Sequence, residues 1–128
     1  MKNDSVLTVT SLLSAVLFGL HLTSDIYFGK EQGNLQDYIG GTVITVVLAY
    51  STLVLTEWRW ARVVVLIGGL FAVLMPALHM NSGVGGDFAK SNGGYFFIWT
   101  LFAMGLTGSL SFILSIRGLL ASRSSTSR

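Results

Sequence analysis

The chain contains no cysteine, which removes disulfides, thiol catalysis, iron–sulfur clusters and cysteine-ligated zinc together. Charge is also scarce. Only 11% of the 128 residues are Asp, Glu, Lys or Arg, against about 25% in a soluble domain. With 52% hydrophobic residues and a mean hydropathy of +0.67, this excludes a disordered chain, a coiled coil and a soluble nucleic-acid binder. A net charge of +2 is too small for a nucleic-acid footprint and reads as membrane topology. Proline occurs once, at Pro76, where it would kink a helix and free a carbonyl near His79. The motifs of known hydrolytic and di-iron sites are missing: there is no HExxH, no Glu-x-x-His pair and no GxSxG elbow. Gly83-Val84-Gly85-Gly86 lacks both a preceding strand and a Lys-Ser/Thr, so it is not a phosphate loop.

What is present is four apolar stretches, at about 5–28, 38–56, 63–80 and 94–116. Each approaches the roughly 20 residues that a helix needs to cross a bilayer. Backbone groups in lipid must be satisfied internally, so helices are expected even over the β-branched run Thr42-Val43-Ile44-Thr45-Val46-Val47. The first stretch is longer than a signal core and lacks a clear cleavage site, so it is expected to be retained. The expected fold is all-α: a membrane-spanning antiparallel four-helix bundle over 1–120, followed by a flexible Ser/Arg-rich tail at 121–128.

Lys2, Arg59, Arg62, Arg117, Arg123 and Arg128 fall on the side of the termini, while the opposite loops carry only Lys30 and Lys90. That asymmetry places both termini, with the tail, in the cytoplasm. Trp58 and Trp60 flank Arg59 at the inner boundary; Tyr27, Phe28, Tyr38, Tyr95, Phe96 and Trp99 gather towards the outer one. Small and weakly polar residues recur at helical spacing and mark the packing faces. In the first span they are Ser11, Ser14, Phe18, His21 and Asp25. In the second they are Gly41, Thr45, Ala49, Thr52 and Thr56. The third has Gly68, Ala72, Met75 and His79, and the fourth Thr100, Met104, Thr107, Ser111 and Ser115.

Three ionisable residues stand out. His21 and Asp25 are four apart and share a helix face. At 1.5 Å per residue, His21 lies roughly 7 Å, Asp25 roughly 13 Å and His79 roughly 12 Å outward of their span midpoints. Both histidines and the carboxylate therefore occupy one layer near the outer face. An ionisable group at membrane depth is a functional hypothesis by default. Asp25 can orient an imidazole, as behind metal-bound or proton-carrying histidines. Met75 and Met80 flank His79, and a thioether–imidazole set suits copper(I). Two histidines on different helices can instead ligate haem iron. His21 and His79 are the metal-ligand candidates, with Asp25, Met75 and Met80 as further ligands and Asp87 as a possible fourth. The structural readings stand beside these. Asp25 can snorkel to water or pair with Lys30, and His79 can be a solvated helix end.

The stretches Gly19-Leu20-His21-Leu22-Thr23-Ser24-Asp25-Ile26, Leu78-His79-Met80 and Phe96-Phe97-Ile98-Trp99-Thr100-Leu101 resemble those of small four-span bacterial membrane proteins. No activity attaches to that group. The resemblance implies an architecture and a bacterial origin, and no role for any residue; the expected location is the bacterial inner membrane, crossed several times. The leading expectation is a non-enzymatic membrane protein whose outward-facing His/Asp pocket binds a small ligand, a metal such as copper, or haem. One alternative is an accessory or self-assembling subunit of a membrane complex, with the bilayer and further copies or subunits as partners and no nucleic acid. The other is a proton-coupled transporter or channel acting as an oligomer.

Overall fold

The computed structural model describes residues 2–28, 35–54, 58–81 and 90–125. They form four helices and, among the described residues, no strand: α1 (Lys2–Tyr27), α2 (Leu35–Leu53), α3 (Arg59–Asn81) and α4 (Asn92–Ser125). Over Asp4–Tyr27, Arg59–Met80 and Asn92–Ser122 the chain is long and apolar enough to cross a membrane; the apolar part of α2, Tyr38–Leu53, is shorter. Thr56, Glu57, Asp87 and the glycines 83, 85 and 86 lie outside the described residues.

Local signals set the helix starts. Asp4 sits in the first turn of α1, where a carboxylate complements the helix dipole. Ser91 caps α4 by accepting the Gly94 backbone N–H at 3.0 Å.

The helices run up, down, up, down in a ring, each packed against its chain neighbours, with α4 closing onto α1. The ring is uneven. α3 and α4 share the most extensive contact, α1 and α4 the next. α1 and α3 meet across the diagonal, and α2 makes no contact with α4 among the described residues. Small residues explain the α3–α4 seam. A Cβ at Gly69 would lie 3.0 Å from the Gly108 carbonyl oxygen and the Phe112 nitrogen, so the two backbones touch there. Gly105 in turn receives the Pro76 ring, and Gly108 receives Ala72. Leu17, Ala72, Phe97, Leu101 and Met104 form the apolar core, at the junction of α1, α3 and α4.

The sequence stripes hold unevenly. Every stripe residue of α4 is buried, as are Ser11, Ser14, His21 and Asp25 of α1. On α3 the buried face is Ala61, Val65, Gly69 and Ala72; of the expected Gly68, Ala72, Met75 and His79, Ala72 is buried and the other three are partly exposed. Among the described residues of the expected α2 stripe, Gly41 and Thr52 are buried, joined by Ser51, and Thr45 and Ala49 are partly exposed.

Candidate functional site

Phe97 and the diagonal approach of α1 to α3 bring three ligand-type side chains together at one end of the core. His21 and Asp25 project from one face of α1, and His79 from the last turns of α3. Asp25 Oδ2 lies 3.6 Å from His21 Nε2 and 3.5 Å from His79 Nε2. One donor atom from each of the three lies within 4.8 Å of the others. His21 and Asp25 are 3% and 4% exposed; His79 is partly exposed and forms the open side. The imidazoles meet edge to face with centroids 4.9 Å apart, and Phe97 packs on both rings.

The hydrogen bonds behind the rings fix which nitrogen faces the carboxylate. His79 Nδ1 lies 3.0 Å from the Met75 carbonyl oxygen, which can only accept. Nδ1 therefore carries the proton, and in the neutral ring Nε2 presents a lone pair. His21 Nδ1 faces Thr100 Oγ1 at 3.4 Å. The Thr100 hydroxyl already donates to the Phe97 carbonyl at 2.9 Å, so it accepts from His21 Nδ1. His21 Nε2 is again the lone-pair atom, buried and with no hydrogen-bond partner. Two imidazole nitrogens and a carboxylate oxygen thus converge at a site closed on the His21–Asp25 side and open at His79. His21 Nε2, His79 Nε2 and Asp25 Oδ2 face one another, a grouping that either a shared proton or a metal ion can hold.

Both histidine Nε2 atoms lie within ion-pair range of the same carboxylate oxygen, at 3.6 and 3.5 Å. The three ligand atoms spread over up to 4.8 Å, wider than the roughly 3.3 Å edge of a tetrahedral site, so they would have to close on an ion. Two imidazoles and one carboxylate are a recognised donor set for zinc and for non-haem iron or related divalent ions.

The remaining candidates are placed differently. Met80 is 64% exposed and turned out of the cluster. Met75 serves through its backbone carbonyl, while its side chain packs against the core and lines an apolar cavity. Sulfur ligation of copper(I) therefore has no support from the geometry. Haem does not fit either: rings in edge contact, with Phe97 against both, leave no slot between them for a macrocycle. Asp87 and Lys30 lie outside the described residues. The sequence marks Thr100 as a packing-face residue but not as the partner of His21, and it gives Phe97 no place at the site; their i, i+3 spacing on α4 was the available signal.

A file of hydroxyls continues along the α1–α4 interface below the cluster. Ser14 donates to Thr107 at 2.8 Å, and Ser111 to Thr10 at 3.0 Å, with Ser11 3.4 Å from Ser111. At the far end Arg62 Nη1 donates to the Gly118 carbonyl at 3.1 Å, and its Nη2 lies 3.6 Å from Asp4 Oδ1.

Comparison with protein-family models, curated proteins and solved structures finds no match to the chain. The functional reading therefore rests on the site.

Proposed function

We propose that this is a non-enzymatic integral membrane protein that binds a divalent transition-metal ion through His21, Asp25 and His79. The observation that carries this reading is the convergence of His21 and Asp25, both buried, with the partly exposed His79, the two imidazoles being oriented by Thr100 and Met75. Three protein ligands leave a fourth position for water or a transferable ligand, the pattern of an open rather than a purely structural site. His79, the least buried ligand, gives that position its way out.

The topology that goes with this reading is four spans with both termini cytoplasmic in a bacterial inner membrane, the metal layer lying towards the outer face. Exposed Trp58 and Trp60 at one end of the bundle, and exposed Tyr27, Tyr38, Tyr95 and Trp99 at the other, support interfacial anchoring at both boundaries. The rival reading, proton or ion passage along the hydroxyl file, meets a break. About 10 Å of α4 separates Thr100 from Thr107, and Leu17, Leu101 and Met104 fill it.

The test is elemental analysis of protein purified in mild detergent without chelator, followed by cobalt(II) titration. One ion per chain and the visible bands of tetrahedral cobalt are expected, and both should be lost in His21→Ala and His79→Ala. Binding should weaken as pH falls, because protons compete for the same nitrogens. Metal content unchanged in both variants would sink the reading.

A further inference from the structure

We propose that the apolar cavity between α2 and α3 is a binding site for one acyl chain of a bilayer phospholipid, whose head stays outside the cavity near Trp60. This rests on reading the apolar helices as membrane spans. The cavity is about 470 Å³ and takes its walls from all four helices, with Ser14 and Phe18 on α1, Val47 on α2, Gly68 and Phe71 on α3 and Met104 on α4. It exists because α2 is the thinly packed helix, in sparse contact with α3 and in none with α4 among the described residues. Its size lies within the roughly 300–1,000 Å³ of ligand sites.

Shape narrows the choice of occupant. On α3 the wall runs from Val64 to Met75, about 16 Å at the helical rise and close to one leaflet of about 15 Å. Spread over that length, 470 Å³ leaves a mean cross-section of about 29 Å². A helix about 10 Å across needs about 79 Å². A second copy's helix is therefore too wide, whereas a single unbranched hydrocarbon chain is not.

The chemistry of the walls agrees. Among the described residues no charged side chain borders the cavity. Its hydroxyls are Ser11, Ser14 and Ser111, and each bonds within the protein: Ser14 to Thr107, Ser111 to Thr10 and Ser11 to Ser111. An apolar cavity of this kind excludes water, and a polar head would lose its hydration there without repayment. Val43, Ile44 and Val47 on α2 and Ile67 and Phe71 on α3 line the cavity and are also exposed. The cavity therefore opens sideways between two helices, onto a surface that lipid covers. Its end at Val64 lies about 6 Å along α3 from Trp60, whose exposed indole suits the headgroup layer.

Photolabelling of the full chain in phosphatidylethanolamine–phosphatidylglycerol vesicles tests this. The probe is a phosphatidylcholine with a diazirine halfway along one chain, and mass spectrometry maps its adducts. Ser14 and Ala72 line the cavity but are only 8% and 7% exposed, whereas Leu106 is 67% exposed and lies outside it. Lipid passing over the outer faces labels Leu106; only a chain inside the cavity also labels Ser14 and Ala72. Adducts at all three are expected. Val47→Trp and Ile44→Trp fill the cavity, and each should lower the Ser14 and Ala72 yields about ten-fold relative to Leu106. Val46→Trp, exposed on α2 and outside the cavity, should leave them unchanged. Helix content equal to the parent's separates filling from misfolding. Adducts at Leu106 without any at Ser14 or Ala72, or adducts there that survive both fillings, overturn the proposal and leave the membrane reading standing. No adduct even at Leu106 overturns both.

Discussion

The α3–α4 seam and the contacts of α2 use the same small residues to different ends. Gly69 and Gly68 are neighbours in sequence. Gly69 brings α3 against the backbone of α4, whereas Gly68 faces only the side-chain tip of Leu48 on α2. Backbone against backbone leaves no freedom to adjust; backbone against a leucine tip leaves a rotamer's worth. The candidate metal site belongs to the first kind of packing. Its ligands come from α1 and α3 and its supports, Thr100 and Phe97, from α4. The apolar cavity between α2 and α3 belongs to the second. In lipid there is no hydrophobic drive between helices, so fit decides which contacts hold.

The strongest way to break this contrast is to truncate a leucine in each region. Leu101 is 2% exposed and Leu53 is 60% exposed. Leu101→Ala leaves a cavity among Leu17, Met104 and Phe97 and should cost about 2–5 kcal/mol. Leu53→Ala trims a side chain that makes little contact within the bundle and should stay within about 0.5 kcal/mol. Unfolding titrations of the two variants in detergent measure the gap, and equal costs would refute the division.

Next in size is the support of the site. Thr100→Val removes the acceptor for His21 Nδ1, so the ring loses the bond that fixes its tautomer. Metal affinity should fall about 10–100-fold with little loss of stability. Thr52→Val on α2 removes only a bond to its own helix, to the Leu48 carbonyl, and should leave cobalt affinity as it was. Isothermal titration separates them.

Gly69→Ala should then cost about 1–3 kcal/mol, since backbone atoms cannot yield. Gly68→Ala should change stability by less than about 1 kcal/mol, because Leu48 can turn aside. Thermal midpoints in one detergent decide between seam and loose contact.

These pairs also show what the sequence could and could not reveal. The α4 stripe was legible because Thr100, Thr107, Ser111 and Ser115 differ in polarity from the lipid-facing residues around them. His21, Asp25 and His79 were legible as one layer because ionisable groups are rare at that depth. Leu17, Phe97 and Leu101 were not, because an apolar core and a lipid-facing surface have the same composition in a membrane protein. The buried face of α3 was placed only at Ala72, for a related reason. With Gly68 and Gly69 adjacent, the sequence offers two equally small faces and does not say which meets α4. The missing partner of Arg62 is another case: Asp4 reads as a terminal charge until α1 and α3 are seen to run parallel across the diagonal.

The smallest expected effect concerns the hydroxyls. On α2, Thr45 donates to the carbonyl of Gly41 in its own helix, at 2.8 Å. On the α1–α4 interface, Ser14 reaches across to Thr107. Thr107 keeps its own bonds to the Ala103 and Met104 carbonyls, so Ser14→Ala strands no donor on α4. A double-mutant cycle of Ser14→Ala with Thr107→Val should give a coupling of only about 0.6 kcal/mol. The matching cycle of Ser14→Ala with Thr45→Val should give none, since those hydroxyls do not meet. If the first cycle also reads zero, the α1–α4 interface is held by its apolar core and close packing alone, and the hydroxyls mark the contact without adding to it.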